Sequence, residues 1–299
     1  MNIESVIQDA KDNFILENFQ ECLKLLHGIP VVGPEFRSQV DLLSYQAYIA
    51  QKKYNVVVNE IPESHELPEF QLVLLLAKHQ AGALSNDATV EKLETILSGD
   101  ISAQDPTALL VGATIFMNLD MPGKALKVLH QSSDILCDAM SVHCLIMMNR
   151  IDLAEKIVRK MLIKNEDALS CQLASAELCL AQGGEKVTEA LNIYQELQEK
   201  NKPSTLLLNG QAIALISLDR LADAESLLRQ ALDIDPNHSA SLLNMISIAI
   251  RTGRPFDSIN RYTAQVRDTD RSHPFLKSLD NMVNTFNEAA RSFTPAALG

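Results

Sequence analysis

The stretch that decides the fold is TLLLNGQAIALISLDRLADAESLLRQALDIDP, residues 205–236. Two small residues in it, Ala212 and Ala224, fall where a pair of packed helices would cross most closely. Leu228 and Ala231 share the apolar face of the second helix, because residues three apart lie side by side on a helix. Pro236 follows that helix and disfavours its continuation. The stretch therefore predicts a hairpin of two packed helices.

The spacing of these residues identifies the hairpin as one unit of a repeat. Counted from Thr205, compact or apolar residues occupy positions 4, 8, 11, 20, 24 and 27, and the proline occupies position 32. This is the pattern of the tetratricopeptide repeat, in which 34 residues form a pair of helices. A small or compact residue recurs at the second-helix crossing along the chain, at Cys22, Ala125, Ala154, Ala190, Ala224 and Ser258.

The recurrence predicts an all-α protein, a right-handed α-solenoid of tetratricopeptide-like helix pairs with a C-terminal capping helix. We expect one solenoid over residues 1–299. Its repeats are irregular over residues 1–104 and regular over residues 105–270, and the capping helix covers residues 272–293. Turn signals between the helices of a pair are Pro122-Gly123, Gly183-Gly184, and Gly253 with Pro255.

The composition excludes several classes of function. Lys and Arg number 26 against 38 Asp and Glu, so the net charge of −12 would repel a nucleic acid or an anionic membrane surface. The five cysteines form no Cys-x-x-Cys pair, which indicates free thiols in a reducing cytosol. The start of the chain, MNIESVIQDAKDN, lacks the pattern of a signal peptide. With no apolar run long enough to span a bilayer, we expect a cytoplasmic protein that meets membranes only peripherally.

No motif in the sequence predicts catalysis, and we expect no catalytic, cofactor-binding or metal-binding residues. Nucleophile-elbow and His-Glu-x-x-His motifs are both missing. The segment Gly183-Gly184-Glu185-Lys186 lacks the spacing and the Ser or Thr of a phosphate loop and is better interpreted as a turn. Cys137, His143 and Cys144 resemble a metal cluster most, but zinc sites usually need four ligands at tighter spacing. Core cysteines and a polar edge histidine are the favoured interpretation.

The concave face of the predicted solenoid is the candidate site for a partner protein. In this repeat class the first helix of each pair lines that face, with positions 2, 5, 9 and 12 pointing inward. The predicted groove residues are Leu110, Met117, Leu136, Ala139, Ile146, Leu173, Leu180, Leu206, Asn209, Ile213, Ile216, Leu243 and Ile250. They lack the Lys, Arg and Asn set that clamps the carboxylate of a chaperone tail, with Asn209 as the one match. We expect an apolar stretch of a partner in the groove; alternatively, these residues only pack between repeats.

Several stretches together resemble the epsilon subunit family of coatomer, the COPI vesicle coat. They are YQAYIAQKKYNVVVNEI (45–61), EDALSCQLASAEL (166–178), GGEKVTEALNIYQEL (183–197), STLLLNGQAIA (204–214) and RSHPF (271–275), and they follow the family order. The match is weakest over residues 62–104. The resemblance extends over nearly the whole chain and is more specific than a generic repeat pattern.

The resemblance implies a non-catalytic structural subunit of the coat, acting in Golgi-to-endoplasmic-reticulum and intra-Golgi transport. It also implies that the chain binds and stabilises the C-terminal region of the coatomer alpha subunit. Localisation would then be cytoplasmic and peripheral on Golgi membranes and COPI vesicles. Two alternatives stay open: a tetratricopeptide adaptor or co-chaperone scaffold outside the coat, and a helical-repeat transferase subunit that uses Cys137, His143 and Cys144.

Overall fold

The computed structural model describes residues 3–29, 33–98, 106–271 and 273–293. These residues form seventeen α-helices and no strand, which confirms the all-α prediction. The helices are α1 (Ile3–Ile15), α2 (Phe19–His27), α3 (Pro34–Ala50), α4 (Tyr54–Glu60), α5 (Pro68–Gln80), α6 (Asn86–Ser98), α7 (Pro106–Asn118), α8 (Pro122–Leu129), α9 (Ile135–Met147), α10 (Ile151–Asn165), α11 (Leu169–Gln182), α12 (Lys186–Lys200), α13 (Thr205–Ser217), α14 (Leu221–Ile234), α15 (Ser239–Arg251), α16 (Phe256–Thr269) and α17 (Pro274–Ser292).

In every hairpin from α1–α2 to α15–α16, the turn between the two helices contains a residue whose backbone is in the left-handed conformation. These residues are Glu17, Lys52, Gly82, Asp120, Asn149, Gly183 with Gly184, Asp219 and Gly253. In the α7–α8 turn, Asp120 has φ of 58°. Its N–H donates to the Met117 carbonyl at 3.0 Å, and the next N–H, of Met121, donates to the Phe116 carbonyl at 2.8 Å. This is the Schellman ending, which satisfies the last carbonyls of a helix.

The recurring turn corrects one prediction from the sequence. Pro122-Gly123 does not lie between helices, because Pro122 is the first residue of α8. A proline fits there, since the first helical N–H has no partner within the helix and the fixed φ of proline suits a helix start. The turn itself is made by the three residues before it, with Asp120 at its centre.

The helices of the first unit lie in two layers. Each odd-numbered helix from α1 to α9 contacts the next odd-numbered helix and also its own hairpin partner. The even-numbered helices α2, α4, α6, α8 and α10 each pack against the odd-numbered helices before and after them. Within the described residues, they do not pack against one another as the odd-numbered helices do. In a curved stack the layer whose members lie closer together is the inner one. The odd-numbered helices α1 to α11 therefore form the inner layer and line the concave face.

The chain divides into two compact units, residues 1–207 and residues 208–299, with the boundary inside α13.

The sequence predicted irregular N-terminal repeats, and the described part of residues 3–98 contains three hairpins, α1–α2, α3–α4 and α5–α6. The second of these has a helix of only seven residues, α4. Residues 99–105, which belong to that irregular segment, lie outside the described residues.

The first unit closes on itself through a contact that joins its two ends. Leu16, at the end of the first hairpin's inner helix, is only 2% exposed and packs in a cluster with Ala176, Tyr194, Leu197 and Leu207. Burying one leucine contributes about 1.5–3 kcal/mol. Two hydrogen bonds flank it: Thr205 Oγ1 donates to Glu17 Oε2 at 3.2 Å, and Lys202 Nζ donates to Glu21 Oε1 at 2.8 Å.

These five residues, Leu16, Glu17, Glu21, Lys202 and Thr205, are hereafter the closure contact. Lys202 is exposed, and its hydrogen bond and charge hold the pKa of the Glu21 carboxyl below its usual range. An exposed ion pair of this kind is screened by water and salt and stabilises little. The buried leucine therefore contributes most of the closure.

The second unit ends in α17, which packs by its first turns only. Leu276 is buried in a cluster with Leu242 and Val266, and Arg267 of α16 holds Asp280 with two hydrogen bonds of 3.2 and 2.8 Å. Beyond Asp280 the helix leaves large apolar side chains exposed, at Met282, Val283 and Phe286, and Phe293, which follows the helix, is exposed as well. A solenoid cap usually has a polar outer face. The capping role of this helix accordingly stays a prediction.

Candidate partner-binding site

Eight of the predicted groove residues belong to the first unit. Seven are on the inner-layer helices α7, α9 and α11, and the eighth, Leu206, is in the first turn of α13. All eight side chains are half-buried: Leu110, Met117, Leu136, Ala139, Ile146, Leu173, Leu180 and Leu206. An inner-layer position explains this, because the stack covers one side of each residue and the concave face leaves the other open.

The buried side of these residues packs against the neighbouring repeats. Leu110 and Met117 pack onto the core formed by α5, α7 and α9, and Ala139 and Ile146 onto the core around Val142. Leu173, Leu180 and Leu206 border the same cluster that holds Leu16. Packing between repeats and lining a groove are thus compatible for one side chain.

The groove residues of the second unit are more open. Ile250 is 60% exposed and Ile213 is 39% exposed, although both are large apolar residues. Ile216 is half-buried on α13, and Leu243, also half-buried, packs onto the cluster of Leu242, Val266 and Leu276. Large apolar side chains left this open are typical of a contact site.

Asn209 differs from the rest of the predicted set. It is only 5% exposed, and its side chain joins α13 to α15. Its Nδ2 donates to Ser241 Oγ at 2.7 Å, and its Oδ1 accepts from Asn244 Nδ2 at 3.0 Å. Buried amides need such partners, since an unsatisfied buried polar group is costly. Asn209 therefore holds α13 and α15 together instead of presenting its amide to a ligand.

Sequence reasoning missed a polar pair at the centre of the first unit's inner face. His143 of α9 and Glu177 of α11 lie with Nδ1 and Oε1 2.5 Å apart, and both side chains are partly exposed. His143 lies between Ala139 and Ile146 along α9, and Glu177 lies between Leu173 and Leu180 along α11. The signal was available in the sequence, because residues 143 and 177 are one repeat length apart.

The pair predicts a pH dependence of stability. The hydrogen bond to Glu177 raises the pKa of His143 above its usual range of about 6.5, against an opposing effect of burial. A raised pKa in the folded state adds stability that is complete below the unfolded pKa and is lost as the pH rises through the folded pKa. We expect His143→Gln to lower the melting temperature at about pH 5.5 and to have little effect at about pH 8.5. Exposed His27→Gln serves as the control, and an equal loss at both pH values would contradict the prediction.

The cysteines have the environment of core residues. All five, Cys22, Cys137, Cys144, Cys171 and Cys179, are buried and form no disulfide. Burial raises the pKa of Cys22 and of Cys144 to about 11, which keeps both protonated at neutral pH. His143 pairs with Glu177, and the described residues contain no group of three or more His, Cys, Asp or Glu placed to hold a metal ion.

The part of the chain that the structure describes contains no helix that is long and apolar enough to cross a bilayer.

Comparison with known proteins shows the family to which this chain belongs. The family model for the coatomer epsilon subunit matches residues 4–294. The chain belongs to the coatomer epsilon subunit family. Coatomer subunit epsilon-1 of Arabidopsis thaliana is 32% identical over 285 residues, which cover 95% of this chain and 96% of that protein. Coatomer subunit epsilon of Dictyostelium discoideum is 26% identical over 297 residues, covering 97% and 99%. Family membership makes the chain a coat component, not an enzyme.

Solved structures confirm the tetratricopeptide solenoid fold. A chain of the APC/C hetero-tetramer Cut9-Hcn1 superposes with a TM-score of 0.61 at 12% identity, over 92% of this chain and 54% of that one. A tetratricopeptide repeat protein from Parabacteroides merdae gives a TM-score of 0.58 at 15% identity, over 87% and 96%. At such low identity the likeness extends to the fold alone.

Proposed function

We propose that the chain is a structural subunit of the COPI coat that binds and stabilises the C-terminal region of the coatomer alpha subunit through its predicted groove residues. It acts in Golgi-to-endoplasmic-reticulum and intra-Golgi transport. Its place in the cell is the cytoplasm and, through the coat, the surface of Golgi membranes and COPI vesicles. The net charge of −12 supports contact with membranes through partners and disfavours direct binding to anionic lipid or nucleic acid.

The observation that carries the proposal is the open apolar character of the predicted groove residues within each unit. Ile213 and Ile250 in the second unit are exposed, and the first unit has a row of half-buried apolar side chains on α7, α9 and α11. The one amide that matched a carboxylate clamp, Asn209, is already hydrogen-bonded within the second unit. Both facts favour an apolar segment of a folded partner over a charged peptide tail.

Co-expression with the C-terminal region of the alpha subunit tests the proposal. We expect the two chains to elute together on size exclusion and the melting temperature of this chain to rise in the complex, because a ligand that binds only the folded state stabilises it. Separate elution with an unchanged melting temperature would contradict the proposal. Tight, salt-sensitive binding of an acidic peptide tail would instead favour an adaptor outside the coat.

A further inference from the structure

We propose that the outward face of α10, together with one lysine of α8, is a docking surface for an acidic protein segment that carries an aliphatic side chain between its carboxylates. This surface is hereafter the outer basic face, and its residues, all exposed, are Lys127, Lys156, Arg159, Lys160, Ile163 and Lys164. It lies on helices that carry none of the predicted groove residues. The inference therefore does not rest on the proposed function.

The spacing of these residues places them on one side of α10. Basic or apolar residues follow Lys156 at three, four, seven and eight positions along the chain, and such residues share one face of a helix. The opposite face is buried, with Ala154, Val158 and Met161. Leu126 of α8 packs onto the core that these buried residues form, so α8 lies beside α10.

The outer basic face reverses the charge of the chain locally. The helices α8 and α10 together carry six basic and two acidic residues, although the whole chain has a net charge of −12. Acidic residues outnumber basic ones on α6 and on α12, the next even-numbered helices on either side. A patch of one sign in a chain of the other sign selects a partner by charge complementarity.

Neighbouring acidic groups compensate this positive charge only in part. Arg159 Nη2 lies 2.6 Å from Glu155 Oε1, but an exposed pair of this kind stabilises little and can be exchanged for a partner's carboxylate. Burial raises the pKa of Asp138 on α9, and the nearby charges of Lys164 and Lys160 oppose that effect. The other two basic residues of the outer basic face have no ion pair within the part of the chain that the structure describes.

Ile163 gives the outer basic face an apolar centre. Its side chain is 89% exposed, and Arg159 and Lys160 lie one helical turn before it. An apolar centre within a polar rim is the usual arrangement of a protein–protein contact. Charges alone would be sufficient to keep the outer surface of α10 in water, so the isoleucine indicates a partner with an apolar group of its own.

The size of the outer basic face favours a protein segment over a lipid surface. From Lys156 to Lys164 the helix rises by about 12 Å, and exposed charges at physiological salt are screened beyond about 8 Å. A short acidic segment would therefore interact mainly with the basic residues. An anionic bilayer would extend over the acidic helices α6 and α12 as well and would be repelled by them.

Binding of a defined acidic peptide tests the outer basic face. The probe is a dye-labelled hexapeptide with two leucines between two pairs of glutamates, and the full chain is titrated into it by fluorescence anisotropy. We expect weak binding that falls with added salt, and Lys156→Gln with Lys160→Gln should lower the affinity by about fivefold or more. Ile163→Ser should lower it by a similar factor. Lys92→Gln with Lys200→Gln removes the same charge from exposed positions on α6 and α12 and should leave the affinity unchanged.

Three outcomes would overturn the outer basic face. The first is absence of peptide binding, and the second is an equal loss of affinity in the two paired lysine variants. The third is binding that neither pair weakens, which would place the peptide on the predicted groove residues, as in an adaptor. Vesicles that contain phosphatidylserine should leave the chain in solution on sedimentation. Binding to these vesicles without binding to the peptide would make this a lipid surface and would contradict the proposal.

The helical circular dichroism should be the same in all the variants, because every substituted side chain is exposed.

Discussion

Replacing both Ile213 and Ile250 by aspartate should weaken binding to the C-terminal region of the alpha subunit by about 100-fold or more. Each isoleucine that is buried in an interface contributes about 1.5–3 kcal/mol, and each introduced carboxylate must also lose water on binding. A loss of 1.4 kcal/mol corresponds to a tenfold change in the dissociation constant. Ile213 is already 39% exposed and Ile250 is 60% exposed in the chain alone, so the fold should tolerate the change.

The matched control for this variant is Ile234→Asp. Ile234 is an isoleucine of the same unit that is 50% exposed, but it ends α14, a second helix of a hairpin. Titration by calorimetry should give the wild-type affinity for the control and a lost or much weaker signal for the double variant, with the same helical circular dichroism in both. Wild-type affinity in the double variant would place the binding surface elsewhere.

Ala190→Leu should destabilise the first unit by about 1–3 kcal/mol. Ala190 lies on α12 with no exposed surface, where α12 packs against α11. Three added carbon atoms have no space there, so either the helices separate or the leucine adopts a strained rotamer. In a unit of this size, the loss corresponds to a fall of about 2–4 °C in melting temperature for each kcal/mol.

Asn192→Leu is the matched control for this prediction. Asn192 is on the same helix and is exposed, and leucine has a higher helix propensity than asparagine, so stability should stay within about 0.5 kcal/mol. Thermal unfolding followed by circular dichroism compares the two variants. An equal effect of both substitutions on the free energy of unfolding would contradict the prediction, because it would show that the helix crossing at Ala190 accommodates a leucine.

The crossing residues show how much of the fold the sequence could predict. Of the six small or compact residues identified by their spacing, Cys22, Ala125, Ala154, Ala190 and Ala224 have no exposed surface, and Ser258 is half-buried. A small side chain is required at the point where two helices cross, and this requirement can be identified from the spacing of small residues in a single sequence. The family resemblance rested on specific motifs in the same way, and the family match confirmed it.

The turns and the closure contact could not be predicted by the same reasoning. Glycine signals a left-handed turn, but Glu17, Lys52, Asp120, Asn149 and Asp219 adopt that conformation without being glycine. Tertiary packing of the hairpin compensates for their local strain. The closure contact depends on the summed rotations of twelve helices, and a small error in each rotation would misplace Lys202 relative to Glu21.

The environment of the individual candidate groove residues could not be predicted from the sequence. The repeat register could not distinguish the buried, hydrogen-bonded Asn209 from the exposed Ile213 four residues later. That difference depends on what α15 presents to α13, namely Ser241 and Asn244. The His143–Glu177 pair depends likewise on two adjacent repeats having opposite ionisable groups at one register position.

The closure contact also has a consequence for the order of folding. Each hairpin closes over a short loop, and neighbouring hairpins are adjacent in the chain, so most contacts of the first unit are local and form quickly. Lys202–Glu21 and Thr205–Glu17 instead join residues 181 and 188 positions apart. During synthesis from the N-terminus, the earlier hairpins can pack while residues 202–205 are still in the ribosome. The first unit should therefore exist as an open array before it becomes a ring.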